Sequence, residues 1–191
     1  MSENWIELAD GRALDVLDIN PDVLSIDNLA DALAKVNRFT GHSRWPHSVA
    51  LHSVLVSELV ELKFGSRAEQ LGGLLHDGPE MVTNDIGRPV KGVICGEGMR
   101  RVTHELEGHL SAKYGAKFSA LVKECDNALL GSEAVVLMPS GGANWNFGAP
   151  PDEWAIERLR EIGEISWRDA RNMFVFRFHD LAWWLKEEAR P

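Results

Sequence analysis

His76 and Asp77 close the apolar run Leu71-Gly72-Gly73-Leu74-Leu75 and are followed at once by Gly78-Pro79 and Glu80. An imidazole and a carboxylate side by side at the inward end of a helix are costly to bury unless something neutralises them. A divalent metal does so, because both groups are good ligands. Two more polar residues interrupt apolar helical patterns. In the stretch 46–62 the stripe is Val49, Leu55, Val56, Leu59 and Leu62, and His52 falls three after Val49 and three before Leu55. In 117–138 the stripe is Phe118, Val122, Leu129 and Leu130, and Asp126 falls four after Val122 and four before Leu130. Both therefore point inward with their neighbours. A lone inward histidine is more often a hydrogen-bonded core residue, and a lone inward aspartate can pair with arginine. The joint pattern of His52, His76, Asp77 and Asp126 is more specific: an N2O2 set for one divalent cation. Co, Mn, Zn, Fe and Mg all accept such donors, so the set does not choose the metal.

The elements that must position these residues follow from period and punctuation. Residues 5–16 alternate weakly around Asp10-Gly11, the signal of a short β-hairpin. Ser25 is placed to cap a helix running to about residue 36. Further helices are expected over 46–62, 66–76, 79–83, 97–113, 117–138, 152–162 and 166–188. Residues 139–151 are rich in Gly, Pro and Asn and read as a flexible loop. The expectation is an all-α bundle in a single domain, 1–191, with the hairpin appended over 1–24 and C-terminal helices over 152–191.

With 191 residues, 45% of them hydrophobic, the chain can bury one sizeable core. Lys+Arg 20 against Asp+Glu 29 gives a net charge of -9, which argues against polymeric nucleic acid as a partner. No run approaches the length of a membrane span. Met1-Ser2-Glu3-Asn4-Trp5 lacks the basic and apolar regions of a signal peptide. Cys95 and Cys125 form no CxxC and read as reduced thiols of a cytoplasmic protein.

The runs HSVALHS (47–53), LLHDGPEMVTNDIGRPVK (74–91) and VKECDNALLGSEA (122–134) resemble the HD-domain phosphohydrolases. Within that family the likeness is to the small bacterial 5′-deoxynucleotidases of the YfbR type and to phage dATP triphosphohydrolases. The resemblance implies an HD-domain helical bundle, with His52, His76, Asp77 and Asp126 as metal ligands. It also implies Glu80 and Asp85 as catalytic carboxylates, and Arg38, Phe39 and Lys91 as substrate-binding residues. Phe39 stands where the bacterial enzymes have tryptophan, and RFTGH (38–42) is similar to the phage subgroup. Thr40 and Pro89 fall near the base pocket. The implied activity is hydrolysis of deoxynucleoside phosphates, foremost a dATP-like triphosphate. A 5′-deoxynucleotidase acting on monophosphates and a non-catalytic nucleotide-binding regulatory domain are the alternatives. Relatives of this kind are homo-oligomers, which makes a homo-oligomer the expectation here.

Several residues carry blander readings. HELEGH at 104–109 spaces its histidines five apart rather than the four a zinc-protease helix needs, so both read as surface residues. His47 reads as structural, while His42, in the loop carrying Arg38, is placed to touch phosphate. Glu133, seven beyond Asp126, shares its face and reads as a salt-bridge partner or support. Trp145 in the loop reads as an interface residue or a base-stacking one. The aromatic stretch around His179 suits packing or a subunit contact.

Overall fold

The computed structural model describes residues 3–188, with side chains to Trp183. Met1 and Ser2 of the expected hairpin appendage, residues 189–191 of the C-terminal segment, and the side chains of Trp184 and Leu185 lie outside the described residues. The fold is all-α with one small sheet. Strands β1 (Trp5–Glu7) and β2 (Ala13–Asp15) pair antiparallel with Ile6 opposite Leu14. The hairpin turns through Gly11 at φ 82, where only glycine is unstrained. The order continues α1 (Ile26–Leu33), α2 (Val49–Leu62), α3 (Arg67–Leu75), α4 (Glu80–Thr83), α5 (Arg88–Ile94), α6 (Glu97–Tyr114), α7 (Ala120–Leu137), α8 (Glu153–Ile162) and α9 (Trp167–Glu188).

Hydroxyl and carboxylate caps set the starts. Ser25, Ser48, Ser66, Ser119 and Asp152 each accept a hydrogen bond from a backbone N–H of the helix they open. Pro46 therefore lies before its helix rather than inside the first turn as expected, while Pro79 is the N-cap of α4, in helical conformation. The segment 117–119 is also outside its helix, which leaves Phe118 37% exposed instead of in the buried stripe. Leu62, the last residue of the expected α2 stripe, is exposed as well.

Helix α2 is the axis of the bundle. It is buried almost all round, because α1, α3, α7 and α9 all pack on it. Such a helix has no polar face to show, so its apolar residues do not confine themselves to one stripe. One hydrophobic cluster runs from Leu8 and Leu14 in the hairpin through Leu55, Leu74 and Leu129 to Leu181. Two glycines let α3 come close. A Cβ on Gly72 would collide with the Lys117 carbonyl, and one on Gly73 would stand 3.0 Å from Ser57 Cα. Arg177 fastens α9 across both, donating to Ser57 Oγ (3.0 Å) and Gln70 Oε1 (3.2 Å). Arg171 does the same for α1 through Asp27 and Asp31. The outlier is α5, none of whose residues is buried. No helix among the described residues is long and apolar enough to cross a membrane.

Candidate metal centre

Three helices deliver the donors. His52 lies in the second turn of α2 and is fully buried. His76 caps the C-terminus of α3, with Asp77 next to it. Asp126 comes from the middle of α7 and is 7% exposed. Their inward atoms converge. His52 Nε2 is 3.3 Å from His76 Nε2, 3.3 Å from Asp126 Oδ1 and 3.5 Å from Asp77 Oδ2. His76 Nε2 is 3.3 Å from Asp77 Oδ2 and 3.7 Å from Asp126 Oδ1. All four residues singled out by the sequence are thus brought together, and His52, His76 and Asp126 alone form a compact group able to hold an ion.

The chemistry of these donors fits a cation. Ligands about 2.0–2.2 Å from a shared metal lie about 3.0–3.5 Å from one another, close to the spacing seen here. The outer ring nitrogens are committed elsewhere: His76 Nδ1 donates to Gly73 O (2.8 Å), and His52 Nδ1 donates to Glu133 Oε1 (2.7 Å). Each Nε2 is left as an acceptor aimed inward. Four acceptor atoms facing one point repel unless a positive charge sits among them.

Protons on the two Nε2 atoms compete with a cation for this place. Burial alone would depress both histidines, but facing carboxylates outweigh it. Asp77 and Asp126 hold His76 well above the usual histidine value, and Glu133 and Asp126 raise His52. Burial would raise Asp77 and Asp126, yet the two imidazoles pull both carboxyls down. Around this core, Asp126 Oδ2 accepts from Lys123 Nζ at 2.6 Å, leaving Oδ1 for the centre.

Glu133 is the hub beneath the site. It is fully buried and accepts from His47 Nε2 (2.8 Å) and His52 Nδ1 (2.7 Å) through Oε1 and from Arg38 Nε (3.0 Å) through Oε2. Burial opposes its charge, but Arg38 and the two histidines keep its carboxyl well below the usual range. Arg38 also lies 3.5 Å from Asp77 Oδ2, and only 9% of its side chain is exposed. It is therefore tied to carboxylates on the protein side.

Glu80, at the start of α4 and three residues beyond Asp77, is 6% exposed. Burial, reinforced by Asp77 and Asp85, pushes its carboxyl up to about 8. Its Oε2 is buried with no hydrogen-bond partner, while Oε1 is 3.7 Å from Lys91 Nζ. An orphaned buried carboxylate oxygen is rare and marks a place for a bound group or water.

Two cavities flank the donors and share Asp77, Glu80, Lys91, Lys123 and Asp126. The larger, about 620 Å³, also takes in Arg38, Phe39, Thr40, His42, Asp85 and Pro89. The smaller, about 350 Å³, adds Thr83, Thr103, Glu107 and Ser119. Every candidate site residue read from the sequence lines one of them or stands in the donor cluster. Lys123, Arg88 and Glu107 were missed. Lys123 had a signal, since it lies three residues before Asp126 on one helix. Arg88 reaches Asn127 Oδ1 (2.6 Å) from α5, a long-range contact no local pattern reveals.

The backbone at the rim is strained. Phe39 (φ 56, ψ 27) and Thr40 (φ 54, ψ 28) precede Gly41 (φ 76), three left-handed residues in succession. The region costs a residue bearing a Cβ roughly 1–2 kcal/mol, and β-branched threonine is rare there. Strain of this kind gathers at functional sites. His104 on α6 is exposed, as expected of a surface residue, while His109 is half-buried with Nε2 4.0 Å from Glu105 Oε1.

No protein-family model matches the chain. It is 33% identical over 162 residues to an uncharacterized protein of Rhodobacter capsulatus, covering 78% of this chain and 82% of that one. It is 31% identical over 168 residues to the uncharacterized protein YfdR of Escherichia coli K12, covering 86% of this chain and 88% of that one. At that identity and coverage, the chain belongs to the family of these two bacterial proteins.

Proposed function

We propose that the chain is a metal-dependent phosphohydrolase of deoxynucleotides, foremost of deoxynucleoside triphosphates with dATP the best candidate. The observation that carries this is the His52, His76 and Asp126 group with Asp77 beside it, sharing cavities with Glu80, whose Oε2 is unpartnered. The resemblance of the HD-containing runs to HD-domain phosphohydrolases supports the same reading. A divalent cation held by His52, His76, Asp77 and Asp126 would supply Lewis acidity, polarising a phosphoryl oxygen and acidifying water.

The chain's own residues do the rest. Glu80 takes the proton of the attacking water as the new P–O bond forms. It returns that proton to the ester oxygen as the old P–O bond breaks. A carboxyl poised near neutrality suits both halves of this exchange. Arg38, braced by Glu133, holds a phosphoryl oxygen, and Lys91 faces the charge from α5. Asp85 lines the larger cavity where it can hold the sugar. Three exposed or partly exposed cations, Arg88, Lys91 and Lys123, border the cavities and favour a polyphosphate over a monophosphate. The confinement of Arg38 between two carboxylates favours the second reading, a 5′-deoxynucleotidase with one phosphate to hold.

Purified protein incubated with dATP or dAMP, with Mn or Co, separates the two. Tripolyphosphate from dATP supports the first reading and orthophosphate from dAMP the second. Glu80→Gln should lower turnover about 10²–10⁴-fold with the fold intact. Unchanged turnover in that variant, or no hydrolysis of either substrate by the wild type, would sink the proposal.

A further inference from the structure

The loop after α7 is strapped down. Phe147 wedges its ring against Gly142 and Gly131, where a Cβ on either would crowd it. Ser132 Oγ holds the loop's far end, accepting from Asp152 N (2.9 Å) and donating to Ala128 O (2.9 Å). Between these fixings Trp145 is lifted onto the rim of the larger cavity, 41% exposed. Its ring centroid lies 5.9 Å from that of Phe147 and 6.0 Å from that of Phe39. Phe39 is itself held there by the left-handed turn.

The result is an aromatic wall on one side of a cavity whose floor is charged. Arg38, Lys91 and Lys123 line it beside Asp77, Glu80 and Asp126, and Ile86, Pro89 and Val90 stand among its other lining residues. A ligand that satisfies both parts carries a phosphate for the lining cations and a flat, weakly polar body for the wall. A free inorganic phosphate or polyphosphate leaves the wall uncovered. A heteroaromatic ring covers it, because the faces of tryptophan and of a base stack well and exclude water.

We propose that Trp145 is the stacking platform for the heteroaromatic base of the substrate, with Phe39 and Phe147 fixing its position. This rests on the nucleotide phosphohydrolase reading and extends it to a residue outside the motifs that suggested it. Stacking is tolerant of which base is present, so Trp145 selects nucleotides over baseless phosphates rather than one base over another.

The test is titration of the Mn-loaded protein with a non-hydrolysable dATP analogue, with tripolyphosphate and with a baseless deoxyribose phosphate. Calorimetry reads all three, and tryptophan fluorescence reads the first. Trp145→Ala should weaken the analogue about 10- to 100-fold and abolish the fluorescence change. It should leave tripolyphosphate and the baseless sugar phosphate unaltered. Trp145→Phe should restore analogue binding to within about threefold. Steady-state kinetics of Trp145→Ala on dATP should show the loss in KM rather than in kcat. Equal weakening of the analogue and tripolyphosphate would overturn the stacking role in favour of a purely structural one. Weakening of the sugar phosphate to the same degree would assign the wall to the sugar and overturn it too. Unchanged analogue binding in Trp145→Ala, with dATP still hydrolysed, sinks this inference and leaves the function standing. Absence of nucleotide binding and turnover in the wild type sinks both.

Discussion

Glu133 shows how much of the centre is decided by one side chain that faces no substrate. A carboxylate without exposure survives only because three N–H groups meet it. Two of those groups matter for function: His52 Nδ1, which fixes the tautomer offering Nε2 inward, and Arg38 Nε, which sets the guanidinium. Glu133→Gln replaces one acceptor by an NH2 that must face a donor. It should lower Mn or Zn affinity about 10- to 100-fold, measured by calorimetric titration of the apo protein. Affinity equal to wild type would show that His52 keeps its orientation without the charge. His52, His76, Asp77 and Asp126 were legible from spacing because polar residues on apolar helical faces stand out against a 3.6 period. Glu133 was legible only as a neighbour of Asp126 on the same face. Its contacts to Arg38 and His47 join residues far apart in sequence, and no local pattern encodes them.

At the scale of elements, the approach of α3 to its neighbours sets where His76 stands. Gly72→Ala puts a methyl into the Lys117 backbone. That overpacking should cost about 1–3 kcal/mol, read as a lower midpoint in urea or heat. A variant as stable as wild type would mean that the 117 segment yields freely. The start of the same helix carries a capping box: Ser66 Oγ accepts from Glu69 N, and Glu69 accepts back from Ser66 N at 3.0 Å. Those bonds, with Lys117 nearby, lower the Glu69 carboxyl from 4.5 to about 2. A depressed carboxyl adds stability that is complete above about pH 4.5 and disappears as the pH falls toward about 2. The stability gap between wild type and Glu69→Gln should follow that window in acid titrations, and a gap that persists at pH 2 would refute the assignment. The helices on either side of this one were readable, since caps and period agreed. Helix α5 was not, because its sequence RPVKGVI holds a proline, a glycine and no buried face. The start of α2, displaced from Pro46, shows the complementary failure. A proline permits a first turn without requiring one.

Across the whole molecule, charge and burial are unevenly spread. The net charge of -9 and the small number of cations at the site predict that single-stranded DNA is neither retained nor cut at about 0.1 M salt. A gel-shift and cleavage assay checks this, and retention would redirect attention to Arg88 and Lys123. Burial divides the molecule more sharply. Helix α2 lies in the centre of the bundle, while α5 exposes Val93 at 85% and Ile94 at 65% and carries Lys91 toward Glu80 from one side. A segment that buries no side chain adds little to the global unfolding free energy. Its amides at 88–94 are then expected to exchange with deuterium in seconds, while those of α2 wait for rarer, molecule-wide opening. The acidic and imidazole half of the centre thus inherits the rigidity of the bundle. Lys91 on α5 answers to its own local equilibrium, one that can change with temperature or bound anion and leave the melting point where it was.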